Sequence, residues 1–504
     1  MEMSEQQQVR LAKVDAMRQQ GVEPYPNRSS RTHTTAEALE RYEAGESTWD
    51  EGRDPQSVIV AGRVMSFRQM GKATFAHIED GHGRIQVYLR ANIIGAEAYE
   101  QFIRMVDLGD FIEAEGTLFR TRTGEVTVEA SRWVMLSKAV TPPPEKWHGL
   151  TDVELRYRQR SADLFSNPEV REIFVTRARM ITTLRTFLDG EGFLEVETPT
   201  LQPVYGGAHA RPFTTHHNAL DQTLYLRIAD ELYLKRLIVG GFERVYEICK
   251  DFRNEGVDTK HNPEFTQLEF YMAYADYNDV MDVAERMLTT VVTELFGGPR
   301  FTYDGHEIDV TPPWRRLRMA DAIYEATGID YENVRDQQEL YKLAKAKGAD
   351  VEPTTVWPRI VDELMKTFVR PSLIQPTFLI DYPVELSPLA KRSAESETTV
   401  ERFQVFIGGV ELGNAYSELN DPIDQMRRFL EQAEDRAQGD EEAMPIDDDY
   451  VRSLMYGMPP TGGFGIGIDR LTMLLTNQQS IREVILFPLL RTATSAAESE
   501  EDGE

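Results

Sequence analysis

The segment from Phe252 to Tyr271, FRNEGVDTKHNPEFTQLEFY, holds Arg253, Lys260 and His261 together with Glu255, Asp258, Glu264 and Glu269. Its two ends alternate as strands do, so side chains two apart share a face. Phe265, Gln267, Glu269 and Tyr271 fall on one face, while Thr266, Leu268, Phe270 and Met272 form an apolar face opposite. Arg253 and Glu255 share a face of the first strand, and Gly256 to Pro263 make the intervening loop. The polar face runs from an arginine, past an aromatic ring, to a glutamate and a phenol. An arginine fork suits a carboxylate or phosphate, and a carboxylate beside a phenol suits an ammonium group. The expectation is a phosphate site next to an amine site. The segment alone leaves open a plain surface hairpin with an Arg253–Glu269 cross-strand ion pair.

Two further segments carry related chemistry. TGGFGIGIDRLTMLL places Gly463, Gly465 and Gly467 on one strand face and Phe464, Ile466 and Ile468 on the other. A bare glycine face lets a flat ligand lie against backbone, and Arg470, at the start of the following helix, can cover it. No strand–turn–helix unit with a downstream ribose-binding acid is evident, so this is not a dinucleotide fingerprint. In RFQVFIGGVELGNAYSELNDP, Gly408–Gly409 makes a two-residue turn between strands. Pairing across it puts Gln404, Phe406, Glu411 and Gly413 on one face and Asn414, Tyr416 and Glu418 on the other. If both sets serve one site, a bulge is needed near Leu412–Gly413.

Such residues need a sheet to carry them. Residues 5–20 have helical composition, with Val9, Ala12, Ala16 and Met17 near helical spacing, and a polar stretch follows to about residue 56. Then come VIVAGRVMSF, ATFAHIED, RIQVYLR, DFIEAEGTLFRT and EVTVEASRWVML, with the helix-like GAEAYEQFIRMVD between the third and fourth. Five short strands with a helix in that slot suit a small Greek-key barrel of the oligonucleotide-binding (OB) type. SKAVTPPPEKWHG reads as a linker, because its prolines continue neither strand nor helix. NPEVREIFVTRARMITTLRTFLDGEGF reads as a long helix ending at glycine, and LEVETPTL as a strand carrying Pro199. The expected organisation is α+β: a helical and polar extension over 1–56, an OB barrel over 57–138, a linker over 139–160, a larger α+β region over 161–492 and an acidic tail over 493–504.

A chain of 504 residues suits two or more domains. Hydrophobic content of 41% and charged content of 28% suit a soluble globular protein. No apolar run approaches the roughly 20 residues that cross a bilayer, and MEMSEQQQVRLAKVD has no signal-peptide core. Cys249 is the only cysteine, which excludes an intrachain disulfide or thiolate zinc cluster and suits a cytoplasmic enzyme. The net charge of −29 opposes non-specific nucleic-acid binding, so an RNA partner must meet a local basic patch. Much of the acid lies in Glu431–Tyr450 and in AESEEDGE, both expected to be solvated or disordered.

FRNEG…HNPEF, GGFGIGIDR and EVETPTL resemble motifs two, three and one of the class II aminoacyl-tRNA synthetases. RIADELYLKRL, GGFERVYEI and ELGNAYSELNDP are similar to the lysyl-tRNA synthetases of that class. The resemblance spans nearly the whole chain, including the barrel and the KWHGLTDVELRYRQR connector. It implies an antiparallel sheet flanked by helices, preceded by an anticodon-binding barrel, and a homodimer formed through the motif-one helix and strand. The implied reaction joins L-lysine to ATP as lysyl-adenylate, with Mg2+ as cofactor, then transfers lysine to the 3′ end of tRNA(Lys). No membrane partner is implied.

Carried over by residue, the resemblance makes Arg253 and Arg470 catalytic. Arg253 grips the lysine carboxylate and the α-phosphate, and Arg470 sandwiches adenine against Phe265. Glu255, His261, Asn262 and Gly467 match further nucleotide contacts, and Lys260 reaches the terminal phosphate. Glu269 and the Gly207 carbonyl hold the α-ammonium. Glu231, Glu418 and Tyr271 surround the ε-ammonium with Tyr416 beside them, and Asn414 helps at the carboxylate. Without the resemblance, Glu231 reads as an acid complementing a helix dipole. Glu411 and a second glutamate hold magnesium in the family, but this chain has Gln404 at the second position. Glu231 and Glu418 favour lysine over aspartate, the substrate of close relatives; excluding ornithine is harder. In the barrel, Phe75 and Gln86 match positions that stack on and read anticodon bases, with Arg68 and Glu125 as further contacts. Arg63, Arg68, Lys72, Arg84 and Arg90 are expected to supply the basic patch. Two rival functions are a paralogue that lysylates a protein, which the barrel disfavours, and a non-catalytic tRNA-binding protein, which the intact Arg253, Glu269, Glu418 and Arg470 disfavour.

Overall fold

The computed structural model describes residues 3–144, 150–437 and 444–490. The chain divides into two compact units, Met1–Asp152 and Val153–Glu504.

The first unit is a closed five-stranded barrel. Its strands are β1 (Arg53–Met70), β2 (Ala73–Glu79), β3 (Arg84–Arg90), β4 (Phe111–Arg120) and β5 (Val126–Ser137), and they close in the order β1-β2-β3-β5-β4. Helix α1 (Glu5–Gln19) and helix α2 (Thr35–Gly45) precede the barrel, and α3 (Ala96–Met105) lies between β3 and β4. The polar stretch expected up to residue 56 therefore contains a helix. Thr34 and Glu37 form a reciprocal capping box that starts α2. Met17, Ala38 and Tyr42 are buried in the same core as Val60, Ile78, Val87 and Ile112, so the leading helices belong to the barrel rather than forming a separate extension.

The second unit is built on an eight-stranded sheet. Long helix α4 (Pro168–Gly190) leads into β6 (Leu194–Glu195); α5 (Glu231–Val239) precedes β7 (Arg244–Phe252) and β8 (Glu264–Ala273). Then follow α6 (Tyr277–Phe296), β9 (Arg315–Arg318), β10 (Thr377–Pro383), β11 (Thr399–Ile407), β12 (Val410–Ser417), α7 (Asp448–Leu454), β13 (Thr461–Gly467) and α8 (Ile468–Leu475). The sheet order is β9-β10-β11-β12-β13-β8-β7-β6, antiparallel except at the two edges. Pro168 starts α4, where its missing amide costs nothing. Val170, Ile173, Met180, Leu184 and Leu188 form its buried stripe. Residues Leu268, Phe270, Phe403, Val405, Phe464 and Ile466 bury one sheet face beneath α4, α6 and α8. Burying each such side chain contributes roughly 1.5–3 kcal/mol.

Two expectations are corrected here. The EVETPTL strand pairs only at Leu194–Glu195 and again, in a small three-stranded sheet, at Leu201–Gln202. Pro199 lies between them and has no amide to donate. The acidic stretch before Tyr450 is not all solvated: Asp447 caps α7 and pairs with Arg236 at 2.7 Å, and Met444 and Tyr450 are buried. Residues 438–443 and the tail 493–504 lie outside the described residues, as do 145–149 of the linker. Among the described residues, no helix is long and apolar enough to cross a membrane.

Candidate active site

A cavity of about 380 Å³ opens on the face of the sheet opposite the core. β8 pairs with β13 so that Gln267, Glu269 and Tyr271 oppose Gly467, Gly465 and Gly463. The glycines leave room for the facing side chains. A Cβ on Gly463 would lie 2.1 Å from Glu418 Oε1 and 2.4 Å from Tyr271 Cε1, and one on Gly465 would lie 3.0 Å from Gln267 Nε2. The Gly463 distances are closer than a side chain tolerates, and the Gly465 distance is one at which Gln267 would have to give way, so neighbours crowd both positions.

β11 and β12 supply a wall, and the bulge that the sequence required is present. Val405 pairs with Gly413 and Phe406 with Glu411, which leaves Leu412 as the extra residue. Gly413 thereby turns toward the core, while Gln404, Glu411, Asn414 and Tyr416 all line the cavity. The unbulged facing, with Gly413 beside Gln404, is corrected accordingly.

At the phosphate end, Arg253 lies just beyond β7. Its guanidinium sits 5.0 Å from the Phe265 ring centre, and its Nε donates to the Ile228 carbonyl at 3.3 Å. It makes no ion pair with Glu269. The residue directly opposite Glu269 is Glu247, which accepts from Arg227 at 2.7 Å. Glu255, Lys260, His261 and Asn262 line the same end. Asp258 accepts from His261 Nδ1 at 2.9 Å and shapes the loop. Asn262 Oδ1 is buried without a hydrogen-bond partner among the described residues, and the residue lines the cavity. Asp469, at the start of α8, accepts from the Thr266 amide at 2.7 Å and so fixes Arg470 over the glycine strand. Arg470 Nη1 reaches the Glu411 carbonyl at 3.4 Å.

At the amine end, Glu269 is buried, accepting from Gln267 Nε2 at 2.5 Å and from the Tyr271 hydroxyl at 2.9 Å. Burial, with Glu231 and Asp251 nearby, pushes its carboxyl up to about 8. Gly207 adopts a φ of +89° and approaches Glu231, its ideal Cβ lying 3.2 Å from Glu231 Cβ. Glu231 is the first residue of α5, yet it is buried and lines the cavity, so complementing the helix dipole is not its whole role. Tyr416 donates to Glu231 Oε2 at 3.2 Å. Asn414 Oδ1 accepts from Arg402 Nε at 2.8 Å, which turns the amide's donors away from Arg402. Glu418 is brought close but does not line the cavity; its carboxylate fills the space over the bare face of Gly463, in an ion pair with Lys235.

Gln404 stands where the resemblance expects a second magnesium-holding glutamate beside Glu411. Gln404 Nε2 donates to Glu411 Oε1 at 2.9 Å, and Gln404 Oε1 accepts from the Tyr382 hydroxyl at 2.6 Å. The amide oxygen is thus turned away from Glu411, and the donor set fits a divalent cation through Glu411 alone.

Lys235, Arg402, Gln267 and Tyr382 were not singled out from sequence. Lys235, four residues after Glu231, carried the one local signal, an i,i+4 charge pair.

On the barrel, Ser66, Arg68, Phe75, His77, Gln86 and Tyr88 share the outer face of β1, β2 and β3. Phe75 stacks on Tyr88 with ring centres 4.2 Å apart. Gln86 Nε2 donates to Glu125 at 2.6 Å, and His77 bridges Ser66 and Glu125 at 2.8 and 2.7 Å. Arg68, Lys72 and Arg84 are exposed. Arg63 is not part of the patch: it stacks 4.3 Å above Phe111 and donates to the Gly109 carbonyl at 3.1 Å.

A glycine-floored cavity on an antiparallel sheet, in a chain that also carries an OB barrel, is the architecture of a class II tRNA synthetase. Residues 152–491 match the model of tRNA synthetases class II (D, K and N), and residues 58–136 match that of the OB-fold nucleic acid binding domain. Proteins named lysine--tRNA ligase are similar over almost the whole length. Those of Pelotomaculum thermopropionicum and Carboxydothermus hydrogenoformans are each 55% identical, over 97% of this chain and 96% and 99% of theirs. That of Roseiflexus castenholzii is 54% identical over 97% of this chain and 99% of its own. The chain belongs to the class II tRNA synthetases, in the family of the lysine--tRNA ligases.

Proposed function

We propose that the protein activates L-lysine with ATP and transfers it to tRNA(Lys). The observation that carries the choice of amino acid is a pair of buried carboxylates: Glu231, which lines the cavity, and Glu418, which stands against Gly463 of its floor. A buried ammonium needs such partners, and removing one costs roughly 3–5 kcal/mol.

In the first step a lysine carboxylate oxygen attacks the α-phosphorus, and pyrophosphate departs as the α–β bond breaks. The attacking group is already an anion, so no general base is needed. Arg253 holds nucleophile and phosphate together and screens the developing charge; such positioning contributes roughly 7–11 kcal/mol in the best cases. Phe265 and Arg470 clasp adenine, with Glu255, His261, Asn262 and Gly467 along the nucleotide and Lys260 at its terminal phosphate. Glu269 and the Gly207 carbonyl hold the α-ammonium, and Asn414 donates to the carboxylate. Tyr271 and Tyr416 flank the side chain. Magnesium, carried with ATP, neutralises phosphate charge, and Glu411 is the residue that would hold it. In the second step the terminal ribose hydroxyl attacks the activated carbonyl and AMP leaves.

Phe75, Gln86, Arg68 and Glu125 are read as anticodon contacts. A homodimer is supported by the exposed Val175, Leu194 and Leu201 in the motif-one region, and a cytoplasmic location by the single, buried cysteine. Amino-acid-dependent ATP–pyrophosphate exchange with all standard amino acids tests the reading. Lysine alone should support strong exchange; exchange with aspartate and not lysine would overturn it.

A further inference from the structure

Lys235 sits one helical turn after Glu231 on α5, and its side chain is 0% exposed. Its Nζ lies 2.5 Å from Glu231 Oε1 and pairs with Glu418 as well. Glu418 Oε2 meets Lys235 Nζ, and Glu418 Oε1 has no hydrogen-bond partner among the described residues, so Lys235 supplies the charge that compensates this carboxylate. The rings of Tyr271 and Tyr416 flank the ammonium at 5.9 and 5.8 Å. Tyr450, on α7, also faces it. Burial opposes the charge on Lys235, but the two glutamates outweigh it and hold the group protonated.

Burial pushes the Glu418 carboxyl up and the Lys235 ammonium pulls it down; with both carboxylates ionised, Glu231, Glu418 and Lys235 together carry one uncompensated negative charge. We propose that Lys235 is the resident counter-cation of the amino-acid pocket, a specificity-determining residue that leaves Glu231 and Glu418 able to accept one further ammonium and no more. The proposal rests on the lysine-activation reading. A side chain with one ammonium brings the buried set to neutrality. A neutral side chain of the same length leaves it charged, and a carboxylate makes it worse. An ion pair that served packing alone would not need one of its carboxylates to line a substrate cavity. Glu231 lines that cavity, and the Glu418 carboxylate packs over the bare face of Gly463, which also lines it.

The count gives a sign that a purely structural role does not. Glu231→Gln makes the set neutral before substrate arrives. The KM for lysine should rise on the order of tenfold, and the preference for lysine over norleucine should fall with it. Adding Lys235→Met to that variant removes the cation as well and restores one uncompensated negative charge. The double variant should then bind lysine at least about threefold better than Glu231→Gln alone and regain the preference over norleucine, with the KM for ATP unchanged. Neither variant leaves a new unpaired cation, so both should fold, and thermal melting checks this. A double variant no better than Glu231→Gln, or one that loses ATP and lysine binding together, would overturn the proposal. If the unaltered protein exchanges with another amino acid and not with lysine, the functional reading fails instead.

Discussion

Gln404 and Glu411 face each other across the bulge at Leu412, and the 2.9 Å contact between them is an amide donating to a carboxylate. Two glutamates at these positions would repel unless a cation lay between them. Here the repulsion is absent and Glu411 is already half satisfied.

Gln404→Glu should therefore strengthen magnesium binding. Half-maximal lysine-dependent exchange at saturating ATP should shift to lower free magnesium by roughly tenfold, the effect of about 1.4 kcal/mol. Superimposable magnesium titrations of the two proteins would contradict this account of position 404.

The Glu269 carboxyl, raised to about 8, is protonated over most of the neutral range in the empty protein. Binding an α-ammonium favours the carboxylate, so the proton must leave. The sign follows: the KM for lysine should fall as pH rises toward 8, by up to about tenfold per unit, and level off above it. Steady-state exchange between pH 6.5 and 8.5 measures this, and a KM independent of pH would refute it.

Gly463→Ala would push a methyl group into the space held by Glu418 and Tyr271. The KM for lysine should rise strongly, by roughly a hundredfold if about 3 kcal/mol of ammonium binding is lost. The KM for ATP should change little. Equal losses for both substrates would mean that the strand itself had moved.

Phe75→Ala should reduce tRNA charging by roughly 5- to 150-fold, the value of one base stacked on an aromatic ring. Lysine-dependent pyrophosphate exchange should stay intact, because Phe75 belongs to the barrel unit. A parallel fall in exchange would indicate a folding defect.

The strand faces around the site were legible because a period of two is a local property. The sorting of Phe265 to Tyr271, the bare glycine face and the need for a bulge all follow from alternation and turn residues. α2 escaped because it is short and polar, although Thr34 and Glu37 wrote its cap. EVETPTL pairs only near its two ends because Pro199 interrupts the ladder, a break that alternation alone does not register. Lys235 stayed invisible because its second partner, Glu418, is far away in sequence and meets it only through the fold. Arg63 was placed in the basic patch by composition, but its stem folds over Phe111. Such choices of direction by long side chains lie beyond periodicity.

The glycine strand also governs how the site can change over evolutionary time. A floor made of peptide planes paired on both sides offers the cavity no side chain for a single codon change to alter. Any substitution there adds bulk rather than a new function. Shifts in substrate must therefore be written in the walls, at positions such as Glu231, Asn414, Tyr416 and Gln404, while the floor stays as common ground for whatever planar group lies on it.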